Sequence, residues 1–224
     1  MYVVEAFLMG LVEIIFINII LSGDNAVVIA LACRRLPAEQ RAKAVFWGSF
    51  GAIALRVVLT FVAVWLLRIP FFQIVGGLLL LWIAVKLLKG EDESERLKSG
   101  SNMAEAIRTI IIADLVMSLD NVVAVAGAAK GNLVLIAIGL AVSIPLIIWS
   151  SRALMALMNR FPILVVLGAG LLGYTAGEMI LSDKGVAHLV EEYFAKGHFV
   201  LPIILAIAVI IIGKLGHRQM KLNH

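Results

Sequence analysis

Seven apolar runs, each close to the ~20 residues a helix needs to cross a bilayer, take up most of this chain. They cover residues 6–31, 44–67, 70–88, 104–129, 133–158, 162–181 and 199–213. A backbone in lipid has no water to bond, so runs of this length fold as helices. Composition agrees: 62% of residues are hydrophobic and 15% charged, against about 45–50% and about 25% in soluble domains. The first run is too long for the apolar core of a signal peptide. A single cysteine, Cys33, excludes an intramolecular disulfide and a multi-thiolate metal site.

Punctuation separates the runs. Arg34, Arg35, Arg41 and Lys43 fill the first connection. Pro70 and Pro162 each follow an arginine and open a new run, where a missing N–H costs nothing. Residues 89–103 form a polar linker, the one sizeable soluble connection. Lysine and arginine collect on one side if the N-terminus lies outside: Arg34, Arg35, Arg41, Lys43, Lys89, Arg96, Lys98, Arg160, Lys214, Arg218 and Lys221. Arg68, Lys130, Lys184 and Lys196 fall on the other side. The positive-inside bias therefore predicts an outer N-terminus and a cytoplasmic C-terminus. That distribution also accounts for the net charge of +4 without a nucleic-acid partner.

The chain repeats itself. Ser22-Gly23-Asp24-Asn25-Ala26-Val27-Val28 returns as Ser118-Leu119-Asp120-Asn121-Val122-Val123, 96 residues later. At that offset Asn18 matches Asp114 and Arg56 matches Arg152. Beyond a short gap the offset becomes 92, so that Arg68 matches Arg160, Pro70 matches Pro162, Gly76 matches Gly168 and Lys86 matches Glu178. Three spans per copy is an odd number, so the second copy enters from the opposite face. The expected fold is all-α and polytopic: one membrane domain with inverted repeats at about 6–88 and 104–181 and a seventh helix outside them at 199–213. Residues 186–198 have the periodicity of an amphipathic helix on the outer surface, with His188 and His198 as solvated residues. Gly173 and Gly177 are spaced as a packing pair.

An aspartate at a membrane-helix centre costs about 2.5–3.5 kcal/mol on insertion scales, and such residues are functional by default. Asp24 and Asp120 are therefore the first site candidates. On a regular helix Asn18, Ser22 and Asn25 share a face, as do Asp114, Ser118 and Asn121. Local unwinding at Gly23 would turn Asp24 inward and release carbonyl ligands. Carboxylates, carboxamides and hydroxyls are oxygen donors suited to Mg²⁺, Ca²⁺ or Mn²⁺. Arg56 reads either as a salt-bridge partner for one aspartate or as a contact for an anionic substrate, and Arg152 as a snorkelling residue or the same contact. Lys86 reads as a snorkelling residue. Glu13 and Glu178 are candidates for the mouth of a path. Span limits set Asp24 and Asp120 roughly 15 Å apart along the membrane normal. Tilt or broken helices would close that gap to one central site, the arrangement inverted repeats favour.

The stretches 23–28 and 114–122 resemble the two signature stretches of TerC-type integral membrane proteins, and the likeness covers nearly the whole chain. It implies a seven-span fold related to the LysE exporter superfamily and export of Mn²⁺, with a role in supplying secreted enzymes. On that likeness Asp24, Asn25, Asp114, Asp120 and Asn121 are the metal-site residues, with Leu119 departing from the glycine of the first copy. Asn18, Ser22, Ser118, Arg56, Arg152, Glu13 and Glu178 stand as supporting or gating residues. The family name refers to tellurite resistance, which leaves an amino acid or an oxyanion as alternative cargo. A membrane adaptor that docks secretion partners, or a homo-oligomer, is the other alternative. No prosthetic group is expected, and no nucleophile–base pair or nucleotide loop argues for an enzyme.

Overall fold

The structure is a computed structural model that describes residues 9–15, 23–66, 69–89, 99–129, 133–186 and 199–222. The described residues are helical, without strands. The helices are α1 (Gly23–Cys33), α2 (Ala38–Leu66), α3 (Phe72–Lys89), α4 (Ser99–Ala129), α5 (Leu133–Arg160), α6 (Ile163–Ser182) and α7 (Val200–Leu222). Four stretches are long and apolar enough to cross a membrane: Ala38–Thr60, Phe72–Lys89, Val134–Arg160 and Ile163–Ser182. Gly23–Cys33 and Val200–Leu215 are shorter apolar helices. The 31-residue α4 carries Glu105, Arg108, Asp114 and Asp120 along its length.

Three helices run further than the apolar pattern predicts. α2 starts at Ala38 because Pro37 opens the turn, its carbonyl accepting the amides of Gln40 and Arg41 at 3.0 and 2.9 Å. α4 starts at Ser99 inside the expected linker, and α7 continues past residue 213 to Leu222. Polar ends of this kind keep good helix formers. Residues 90–98 of the linker and 187–198 of the expected amphipathic segment lie outside the described residues.

Large apolar side chains cover much of the described surface, and a few polar groups lie inside an apolar core. Trp82, Trp149, Val58, Leu78 and Ile207 are exposed, whereas Ser49, Arg56, Asp114, Ser118 and Ser151 are buried. This is the distribution a lipid solvent selects. Packing between the copies is reciprocal: α2 of the first lies on α4 of the second, and α5 of the second lies on α1 of the first. A two-fold relation between inverted copies generates that pairing. α3 and α6 pack on each other at the centre, with a Cβ at Gly77 falling 2.8 Å from the Ala176 carbonyl. α7 packs against α6 and also against α3, where Gly213 meets Leu88. On α6, Gly177 meets Pro202 so closely that a Cβ would fall 2.5 Å from its Cα. The Gly173–Gly177 pair is thus the seat of the extra helix.

The two ends of the bundle are pinned by different chemistry. At one end Arg34 donates to the Leu87 carbonyl, and Arg41 donates to the carbonyls of Arg34 and Leu36. Cations at helix C-termini satisfy carbonyls that lack a helical partner. Burial, with Arg35 beside it, pushes the Arg34 guanidinium down to about 10. At the opposite end a carboxylate holds the start of α3. Asp183 Oδ1 accepts the amides of Phe71 (2.9 Å) and Gly185 (2.7 Å), and Oδ2 accepts those of Gln73 (2.9 Å) and Ile74 (3.3 Å). Phe71 sits at φ 66°, a left-handed conformation rare for an aromatic residue. The Asp183 contact holds it there. Burial alone would raise the Asp183 carboxyl, but the four amides outweigh it and leave the group below the usual carboxylate range.

Candidate functional site

The second-copy motif builds a buried charge pair first. Arg56 on α2 donates to Asp114 Oδ1 on α4 at 2.5 Å, and Ser118 Oγ donates to Oδ2 at 3.1 Å. Ser118 lies one turn beyond Asp114, the spacing that stacks two side chains on a helix face. Arg56 is 2% and Asp114 8% exposed. Asp114 therefore faces an arginine instead of open space, and its charge is neutralised within the protein. An ion pair buried this deeply is costly to break, about 3–5 kcal/mol when one partner is removed.

A cavity of about 620 Å³ opens beside this pair, lined from three helices. α1 contributes Gly23 and Asp24, α4 contributes Met117 and Asn121, and α6 contributes the rest of the wall. Asp24 lies in the first turn of α1. The Asn25 amide donates to its Oδ1 at 2.8 Å. Asp24 also feels the charges of Asp114 and Arg56. On α6, Tyr174, Thr175, Glu178 and Ser182 repeat every three to four residues and so face one way. Tyr174 lies one turn before Glu178 on this face. The wall thus offers two carboxylates, a carboxamide and three hydroxyls, all oxygen donors.

The other sequence candidates are placed as follows. Asp24 and Asn121 come from different copies and share the cavity, with Glu178 beside them. Asn25 is 3% exposed and does not line it, and among the described residues its side-chain amide makes no hydrogen bond. Arg152 is exposed on α5, away from the cavity wall. Glu13 is exposed within the helical residues 9–15. Asn18, Ser22 and the side chain of Asp120 lie outside the described residues. Among the described residues no three His, Cys, Asp or Glu side chains already converge as a metal cluster. The cavity is an open vestibule with scattered donors. Tyr174, Thr175 and Ser182 are lining residues that the motifs did not point to. Their shared helical face with Glu178 was the available signal.

The chain matches a family model described as "Integral membrane protein TerC family" over residues 3–221. It is 45% identical over 215 residues to the "Uncharacterized membrane protein YjbE" of Bacillus subtilis, covering 96% of this chain and 98% of that protein. Similarity extends to YceF of Bacillus subtilis, at 27% identity over 71% of this chain and 66% of that protein. It extends also to the inner membrane protein YgdQ of Escherichia coli, at 26% identity over 86% of each chain. No solved structure matches the chain.

Proposed function

The chain belongs to the TerC family of integral membrane proteins, and from that premise we propose that it is a secondary transporter exporting a divalent metal ion, Mn²⁺ in the first place. The observation that carries this reading is the shared cavity: Asp24, Asn121 and Glu178 reach it from three helices and both repeats. Hard divalent ions choose oxygen ligands, and two carboxylates balance their charge. Asp114 does not add a third charge to the wall, because Arg56 holds it. Asp24 and Glu178 are the ligands that draw the ion in, and Asn121 with the hydroxyls completes the shell as the helices close. The N-terminus lies outside in this reading, and the basic end of the bundle faces the cytoplasm.

Exporting a divalent ion from a negative-inside cell costs about 2 × 2.3 kcal/mol per 100 mV. Return of two protons on the vacated carboxylates makes the cycle electroneutral and removes that cost. Amino-acid or oxyanion cargo would need free cations in the wall. Arg56 is committed to Asp114 and Arg152 lies elsewhere, so the geometry favours a cation. The test is cellular manganese content with and without the gene, complemented by wild-type protein or Asp24→Asn. Manganese should rise on deletion and fall only with wild-type complementation. Unchanged manganese on deletion refutes export.

A further inference from the structure

A second cavity, of about 610 Å³, lies between α3 and α4 at the opposite end of the bundle from the Asp24 vestibule. The ends are opposite because Asp183, just past α6, holds the start of α3, whereas this cavity lies towards the α3 C-terminus. Both walls repeat at helical spacing. Leu79, Trp82, Ile83 and Lys86 form one face, and Glu105, Arg108, Thr109 and Ile112 form the other. The helices are antiparallel, so the deep end joins Leu79 to Ile112 and the shallow end joins Lys86 to Glu105. Polarity therefore changes along a cleft roughly 10 Å deep.

The polar end is organised. Lys86 is ion-paired with Glu105, and its ammonium sits 5.2 Å from the centroid of the Trp82 ring. Trp82 is exposed to the lipid side, and tryptophan favours the headgroup level of a bilayer. Arg108 is exposed one turn deeper, and the described lining of the cleft is net positive. A positive lining favours an anion over a divalent cation. The chemistry that matches is a phosphodiester anion with hydrocarbon attached.

We infer that the cleft between α3 and α4 binds an anionic phospholipid, its headgroup between Lys86, Arg108 and Thr109 and one acyl chain along Leu79, Ile83 and Ile112. Glu105 fixes Lys86 over Trp82 and keeps it from folding away from the headgroup. Thr109 supplies a hydroxyl donor beside Arg108. The inference stands whether or not the protein moves metal.

Native mass spectrometry of the full-length protein in detergent, titrated with phosphatidylglycerol or phosphatidylcholine, tests it. Wild-type protein is expected to retain phosphatidylglycerol about tenfold better, the scale of one to two cation–headgroup contacts. Arg108→Gln, an exposed change, and the double variant Lys86→Gln/Arg108→Gln should lose that preference in steps. Lys184→Gln, which removes an exposed charge at the opposite end of the bundle, should keep it. Equal retention of the two lipids by wild-type protein overturns the inference without any variant. So does full phosphatidylglycerol binding by Arg108→Gln, or displacement of the lipid by soluble glycerol 3-phosphate at equal concentration, which would make the ligand a free phosphate.

Discussion

α3 and α6 are the same helix of the repeat written twice, and each lines a cavity with the same face. Leu79, Trp82, Ile83 and Lys86 of α3 correspond to Leu171, Tyr174, Thr175 and Glu178 of α6, 92 residues on. One cleft is closed by a cation over an indole, the other by a carboxylate beside a phenol. Inversion puts them at opposite ends of the bundle. The scaffold is shared while the sign of the charge is not. The other sides of the two helices differ as well. Gly170, Gly173 and Gly177 of α6 admit α7, where α3 has Leu78, Leu81 and Val85. Inverted repeats give a symmetric frame, and a few substitutions give it direction.

The largest effect should come from erasing the difference in sign. Glu178→Lys puts the charge of the basic cleft into the acidic one, and metal transport should fall at least about 100-fold, as expected for opposite charges facing a divalent ion in a low dielectric. Vesicle uptake of Mn²⁺ with a fluorescent reporter measures it. Transport that survives would place the ion path elsewhere.

Next comes the pair Arg56 and Arg152, equivalent in the repeat and opposite in surroundings. Arg56→Gln should cost about 3–5 kcal/mol by stranding Asp114, while Arg152→Gln should stay within about 0.5 kcal/mol as a surface change. Thermal unfolding in detergent separates them. Equal losses would mean that the buried ion pair is not what distinguishes the two arginines.

Gly177→Val imposes the bulk of α3 on α6. Contact with Pro202 should destabilise the protein by about 1–3 kcal/mol through overpacking and loosen α7. Protease sensitivity near α7 should rise, and an unchanged digest would deny the glycine its role as a seat.

The smallest effect concerns the helix starts. α3 is held by Asp183, whereas α6 begins at Pro162 with no side-chain cap bond. Asp183→Asn should cost about 1–2 kcal/mol, in the range of a carboxylate at a helix N-terminus. The folded carboxyl lies below its unfolded value of about 3.9. Its contribution is thus complete above that value and is lost as pH falls through the folded one. Wild-type stability should decline on acidification, and the asparagine variant should lack that part of the decline.

Much of this was legible in the chain. Apolar run lengths gave the helices, and the repeat marked Lys86 and Glu178 as equivalents before their cavities were known. Asp24, Asn121 and Glu178 stood out because polar groups in lipid are costly. The partner of Arg56 was not legible, since an arginine in α2 has several acids in reach until α2 is laid on α4. Asp183 was passed over for a related reason. Three of its four partners are main-chain amides 109 to 112 residues away, and no residue type announces them. Arg108 sits in the fourth run near its polar start, where a charge reads as ordinary solvation.

The most direct measurement is Mn²⁺ flux into proteoliposomes holding purified protein, with Asp24→Asn and Glu178→Gln beside wild type and folding checked by thermal unfolding. Wild-type flux with near-complete loss in both folded variants is the expected result. Wild-type flux equal to empty liposomes, or full flux in both variants, would contradict a cation path through the acidic cavity.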